Sequence, residues 1–293
     1  MRTVILILFT LAAFAANNLL CRKALAQTSI DPASFTLVRV ASGAIMLLML
    51  IGLKRGRVTG SWRAAVALLA YMVCFSFAYV TLAAGTGALL LFGAVQATMI
   101  LWGLISGERL GAVQWFGLGL AVAGLVALVT PGVAAPKPIG ALLMVVAGAA
   151  WGIYSLLGRT SKSAALETSA GNFLRATPLA LLPAIGMALT KHTGCDVPGL
   201  IYAVVAGALA SGVGYALWYS VLPALSAATA ASVQLSVPVI TAFGGAVVLG
   251  EHITLRLTLA SLAVLGGIAL VICVRRQRAL LPTPVERRIR SPY

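Results

Sequence analysis

Apolar runs of about 20 residues, the length an α-helix needs to cross roughly 30 Å of hydrocarbon, recur from residue 4 to residue 273. Hydrocarbon offers no water to backbone N–H and C=O groups, so each run must close its own hydrogen bonds as a helix. Ten spans are predicted, over 4–21, 35–53, 64–84, 86–106, 112–129, 139–158, 170–190, 198–222, 226–249 and 255–273. The segments between them are too short for a soluble domain. With 61% of residues apolar and only 9% charged, no water-facing surface could be covered. The fold class that follows is all-α integral membrane, with ten transmembrane helices.

A net charge of +15 would suggest a nucleic-acid partner in a soluble protein, but sorting the charges by loop removes that reading. Fourteen of the 21 Lys and Arg fall on the side of the N-terminus: Arg2, the group from Lys54 to Arg63, Arg109, the pair Arg159 and Lys162, and six arginines from Arg275 onward. Arg22, Lys23, Lys137, Lys191 and Arg256 fall on the other side, while Arg39 and Arg175 lie within spans. The positive-inside rule then predicts that both termini are cytoplasmic. Arg2, the apolar stretch from Val4 and the triplet Ala13-Phe14-Ala15 also imitate a secretory signal, but an internal repeat requires this segment as a retained helix.

That repeat becomes visible when Glu108 is set beside Glu251. Gly107-Glu108-Arg109-Leu110 and Gly250-Glu251-His252-Ile253 each open onto a further apolar helix, in which Gly117 and Gly124 match Ala260 and Gly267. Phe14 to Arg22 likewise matches Trp151 to Arg159, and Arg39 matches Arg175. Spans one to five therefore duplicate spans six to ten, which divides the chain into 1–133, 134–274 and a basic cytoplasmic tail, 275–293, that reads as unstructured. An odd number of spans per unit means the second enters the membrane from the opposite side. Inverted repeats are the architecture of many secondary transporters, with the solute site near the midplane between them.

On these features the sequence resembles the drug/metabolite transporter superfamily, and within it the EamA-type ten-helix carriers built from two five-helix units. The residues that carry the likeness are Trp151-Gly152, Arg39 and Arg175 in the second helix of each unit, the Ala227 to Ala231 run, Pro238 and the two Gly-Glu turns. One departure is visible, because the proline of span nine has no counterpart in the Ala94-Val95-Gln96 stretch of span four. The resemblance implies a bacterial inner-membrane carrier and favours export of amino acids or related compounds.

All six acids, Asp31, Glu108, Glu167, Asp196, Glu251 and Glu286, lie at or beyond the ends of spans. A carboxylate-based proton or sodium site within the membrane is therefore not expected, and neither is an enzyme, since no acid, base, nucleophile or metal group gathers in one place. No cofactor or metal is expected either. Cys21, Cys74, Cys195 and Cys273 show no metal-ligand spacing, and a Cys21–Cys195 disulfide at the outer face is the weaker alternative to four free thiols. Glu108 and Glu251 each precede a helix, where a carboxylate meets the positive end of the macrodipole. Arg39 and Arg175 read as snorkelling anchors or helix cross-links, with direct binding of an anionic solute as the alternative.

The substrate-site candidates are polar and aromatic residues spaced i, i+3, i+4 on single helical faces: Asn17 and Asn18 beside Phe14, then Trp151, Tyr154 and Ser155, then Tyr215, Trp218 and Tyr219. Two adjacent asparagines cannot both face lipid without unpaired amide groups. Gln96 lies about 18 Å along its helix from Glu108 at 1.5 Å per residue, which sets it near the midplane, and Gln234 lies nearer the cytoplasmic side. Tyr79 and Tyr219 are opposed gate candidates. Against this reading stands a packing one, in which the aromatics form interfacial belts and the glutamines only cross-link helices.

The solute expected is a small polar or amphipathic metabolite, zwitterionic or neutral, moved by alternating access, with membrane lipid as the other partner. Two readings stand as alternatives, a lipid-headgroup flippase and a non-transporting membrane subunit. Neither the solute nor the oligomeric state is legible.

Overall fold

A computed structural model describes residues 2–107, 109–132, 135–161, 163–190, 193–222, 225 and 233–280. Glu108, the Ala227 to Ala231 run and the tail from residue 281 lie outside the described residues. The described chain is helical: α1 Arg2–Gln27, α2 Pro32–Lys54, α3 Trp62–Tyr79, α4 Ala84–Ile105, α5 Ala112–Val129, α6 Pro138–Arg159, α7 Ala165–Leu179, α8 Leu181–Leu189, α9 Val197–Val205, a π-helical segment Ala206–Val213, α10 Gly214–Val221, α11 Ser236–Leu249 and α12 Leu255–Leu280.

Among the described residues nine helical stretches are long and apolar enough to cross a membrane, and Ser236–Leu249 is a shorter apolar one. Large side chains such as Phe9, Leu53, Phe116, Leu142, Leu182 and Val247 face outward and exposed, as lipid-facing surfaces require.

Helix starts follow local chemistry. Asp31 caps α2 by accepting from the N–H groups of Ala33 and Ser34, both at 2.9 Å. Asp196 caps α9 through Gly199 N–H at 3.1 Å. Prolines open α2, α6 and α9, where a missing N–H costs nothing. Pro238, read from the sequence as a helix breaker inside span nine, lies in the first turn of α11 after a turn at Leu235.

The predicted span over 170–190 is divided at Ala180 into α7 and α8. Pro178 and Pro183 each withhold a backbone donor there. The last helix continues to Leu280, carrying helix into the arginine-rich segment that the sequence suggested was unstructured. The span over 198–222 contains an eight-residue π-helical segment rich in Ala and Gly, a wider coil that occurs mostly at functional sites.

The loops meet at two opposite ends. At the arginine-rich end, Arg57 N–H donates to Glu167 Oε1 at 2.9 Å and Ser61 N–H to Asn172 Oδ1 at 3.0 Å. At the other end Asp31 N–H donates to Gly194 O at 2.9 Å, and Arg256 Nη2 to Thr130 O at 2.7 Å.

Between the ends, α6 packs against α3 and α4, α1 against α11 and α10, α2 against α7 and the π segment, and α5 against α12. The last contact depends on two glycines. A Cβ on Gly117 would lie 2.5 Å from Gly267 O, and one on Gly267 would collide with Gly117 O. Gly117→Val is therefore expected to destabilise by about 1–3 kcal/mol, the usual cost of overpacking, read as a lower unfolding temperature in detergent. An unchanged temperature would show that this seam tolerates separation.

Candidate functional site

Five helical stretches bring their polar and aromatic faces to one point in the middle of the bundle. A small cavity there, about 10 Å³ in volume, is lined by Phe14, Asn17 and Asn18 of α1, Tyr71 of α3, Leu91 and Phe92 of α4, Trp151 of α6 and Tyr215 of α10. That volume admits about one water molecule.

The walls are aromatic. The Trp151 ring lies 4.6 Å from Tyr215, 5.0 Å from Tyr71, 5.4 Å from Tyr154 and 5.8 Å, edge to face, from Phe14. Trp218 meets Phe14 at 5.7 Å. Each such pair contributes about 0.5–1.5 kcal/mol beyond its buried area, so the cage is held shut by its own rings.

Behind these rings runs a polar network. Asn17 Nδ2 donates to Tyr71 Oη at 3.1 Å, and its Oδ1 accepts from Ser211 Oγ at 3.3 Å. Arg39 reaches the same group, with Nε on Ser211 Oγ at 3.0 Å and Nη2 on Tyr71 Oη at 3.2 Å and Tyr215 Oη at 3.0 Å. Its guanidinium also lies over Phe75 and Tyr71, 5.0 and 5.5 Å from the ring centres.

Arg39 is fully buried, so it is no snorkelling anchor. Insertion of a charge at a helix centre costs about 2.5–3.5 kcal/mol, and the hydroxyls and ring faces offset this in part. Arg175, the residue aligned with it in the sequence, behaves as an anchor or cross-link would. It is half-buried near the arginine-rich end and donates to Thr59 O at 2.6 Å. The π segment explains the difference, because it brings Ser211 to Arg39.

Toward the end opposite the arginine-rich one, two layers close the bundle. Tyr79 Oη donates to Asn18 Oδ1 at 2.5 Å and lies 3.2 Å from Ala84 O. Above it Arg22 Nε pairs with Glu251 Oε1 at 2.8 Å, while Arg22 Nη1 reaches Tyr79 O at 2.9 Å and Glu251 Oε2 accepts from Ala84 N–H at 2.7 Å. Glu251 thus caps α4 and ties it to α1, rather than serving the helix that follows it in sequence.

Toward the arginine-rich end, two adjoining hollows of about 510 and 370 Å³ share Gly158, Ser161, Ser163 and Thr168. Tyr219 borders the larger one, stacks on Tyr154 at 5.5 Å and donates to Tyr154 O at 3.2 Å. An aromatic ladder, Tyr219, Tyr154, Trp151, therefore runs from the larger hollow to the cage.

Of the residues predicted from sequence, Asn17, Asn18, Trp151 and Tyr215 line the cavity. Trp218 and Tyr154 buttress it, and Tyr79 and Tyr219 lie at its two ends. Ser155 is buried beside Tyr154 with its hydroxyl free of any hydrogen bond among the described residues. Gln96 is buried in α4 one turn beyond Phe92, and Gln234 is buried with its Oε1 unpaired among the described residues. Cys21, Cys74 and Cys195 are free thiols. Sequence reasoning missed Tyr71, although Tyr71, Phe75 and Tyr79 follow one another at i, i+4 and i+8, the same one-face spacing that singled out the others.

Residues 138–273 match the EamA-like transporter family. Over 281 residues the chain is 54% identical to an uncharacterized protein of Pseudomonas aeruginosa, covering 95% of this chain and 97% of that one. The chain belongs to the EamA-like transporter family. The fold agrees: a crystal structure at 14% identity superposes with a TM-score of 0.66 over 94% of this chain and 99% of the other. EamA proteins form a transporter family, so the chain is a multi-pass membrane protein of a transporter type, within the drug/metabolite transporter superfamily, and not of an enzyme family.

Proposed function

We propose that this EamA chain is a secondary transporter that exports small polar or amphipathic metabolites, amino acids and related compounds among them, across a bacterial inner membrane by alternating access. The observation that carries the reading is the small polar and aromatic cage in mid-bundle, latched at one end by Arg22–Glu251 and Tyr79–Asn18 and approached at the other by hollows ending at Tyr219. A solute enters past Tyr219 from the arginine-rich, cytoplasmic side and leaves when the latch at the outer end parts. In this reading Asn17, Asn18, Trp151, Tyr154, Ser155, Tyr215 and Trp218 hold the solute, Tyr79 and Tyr219 gate it, and Gln96 and Gln234 adjust to it as the cage opens.

Two inverted five-helix units, 1–133 and 134–274, would supply the exchange of conformations. Support comes from the α5–α12 seam. If Gly117 corresponds to Ala260 and Gly124 to Gly267, the contact of Gly117 with Gly267 implies one of Gly124 with Ala260, and both are present. Gly107 and Gly250, matched turn glycines, both have positive φ, at 91° and 68°.

Transport is expected to run down the solute's own gradient. Among the described residues every acid lies at a helix end and Asp31, Glu167, Asp196 and Glu251 each accept backbone N–H bonds, so none is available as an intramembrane proton carrier. Proteoliposomes with equal buffer on both sides and radiolabelled amino acids inside give the test, with efflux expected without an imposed proton or sodium gradient. Efflux that requires such a gradient, and loses that requirement in Glu251→Gln, would place the coupling site at the latch. A cysteine introduced between Lys54 and Arg63 is expected to resist impermeant reagents added outside intact cells; strong labelling there would reverse the topology.

A further inference from the structure

Every described acid is committed elsewhere, yet a guanidinium stands fully buried beside the cage. Arg39 spends Nε and Nη2 on neutral oxygens of Ser211, Tyr71 and Tyr215, and its Nη1 has no acceptor among the described residues. Among the described residues the ion pair is Arg22–Glu251, so no described carboxylate balances Arg39.

The hydrogen bonds around it point the same way. Arg39 Nη2, Asn17 Nδ2 and Tyr215 Oη all donate to one oxygen, Tyr71 Oη, at 3.2, 3.1 and 3.0 Å. Three donors converging on one atom, one of them cationic, form the surroundings that a carboxylate oxygen seeks. Tyr71, Asn17 and Tyr215 also line the cavity, so this focus faces the solute, with Arg39 one layer behind. The remaining walls are ring faces and edges suited to a flat apolar body.

We propose that Arg39 is the counter-ion for a solute carboxylate, and that the cage takes small organic monocarboxylates with a flat apolar body. The proposal rests on the reading of the cage as the solute site and names its substrate class. The carboxylate replaces Tyr71 Oη as acceptor for the Tyr215 hydroxyl and an Asn17 N–H, accepts from the Tyr71 hydroxyl and compensates Arg39, while the apolar body parts the Trp151, Phe14 and Trp218 rings. An ammonium group finds no described carboxylate in the cage, so a simple amine is excluded and a zwitterion binds through its carboxylate end.

The test is binding by the full chain in nanodiscs, followed by tryptophan fluorescence, with three probes of one shape: phenylacetate, phenylacetamide and phenethylamine. Wild type is expected to bind phenylacetate at least tenfold more tightly than either of the others. Arg39→Gln is expected to bring the acid-to-amide ratio near one, Arg39→Lys to retain part of it, and Tyr71→Phe to lower it several-fold.

Absent or unselective binding in wild type overturns the proposal, as does an unchanged ratio in an Arg39→Gln variant that is monodisperse and helical by circular dichroism. Should that variant fail to fold, an unchanged ratio in Tyr71→Phe overturns it equally. Selective binding without flux of any solute in proteoliposomes would remove the carrier reading and leave Arg39 as a carboxylate site. Flux without charge preference would do the reverse.

Discussion

In Glu251→Gln, Cys21 is expected to become reactive toward an impermeant maleimide added from outside, at a rate about tenfold or more above that of the parent, when the other cysteines are replaced by Ser. Cys21 is fully buried and precedes Arg22 in sequence, on the helix that the latch ties down. The Gln side chain still offers an oxygen to Ala84 N–H but removes the charge that holds Arg22 at 2.8 Å. A hydrogen bond to a charged group contributes about 1.5–3 kcal/mol, and about 1.4 kcal/mol shifts a two-state equilibrium tenfold. Losing the pair should therefore move the outer end toward open by one to two orders of magnitude.

Export should fall below about a tenth of wild type as well, because a carrier that cannot shut its outer end cannot reload from inside. Arg22→Ala is expected to behave in the same way. If thiol labelling and flux both stay at parental values in the two variants, the pair is only a helix cap and the gate lies elsewhere.

Trp151→Ala is expected to lower flux about 10- to 100-fold. The ring is shared by four neighbours, Phe14, Tyr71, Tyr154 and Tyr215, and it joins the ladder from Tyr219 to the cage. Its removal leaves both the entry route and the cage without a wall, whereas Trp151→Phe keeps a ring there and should stay within several-fold of wild type. Protein abundance in the membrane and unfolding temperature separate the two roles of the residue. A loss of abundance as large as the loss of flux would mean that Trp151 only packs helices, the competing reading for every aromatic in the cage.

Much of the candidate site was legible because helical spacing is a local property. Trp151, Tyr154 and Ser155 share a face by rise and turn alone, and so do Tyr215, Trp218 and Tyr219, whichever helices they later meet. The asparagines were legible for an energetic reason, since hydrocarbon excludes unpaired amides. Tyr71 obeys the same spacing but stands in an otherwise plain apolar helix, and nothing local distinguishes its stripe of Tyr71, Phe75 and Tyr79 from core packing. Arg22 was assigned to the outer side and Glu251 to the start of the helix that follows it, because a contact across 229 residues leaves no periodic trace.

What the sequence determined by itself was the solvent and therefore the class of fold: runs of apolar residues at membrane length must be helices that cross it. Helix ends at Asp31, Asp196 and the opening prolines were likewise local. The tertiary structure alone decided which charge is neutralised and which is left over. Arg39 and Arg175 align in the sequence comparison of the two halves, yet one is fully buried among hydroxyls and the other reaches a loop carbonyl. The difference comes from a π-helical turn and a packed neighbour, because the free energy of a charge depends on the groups that other helices bring within about 3 Å of it.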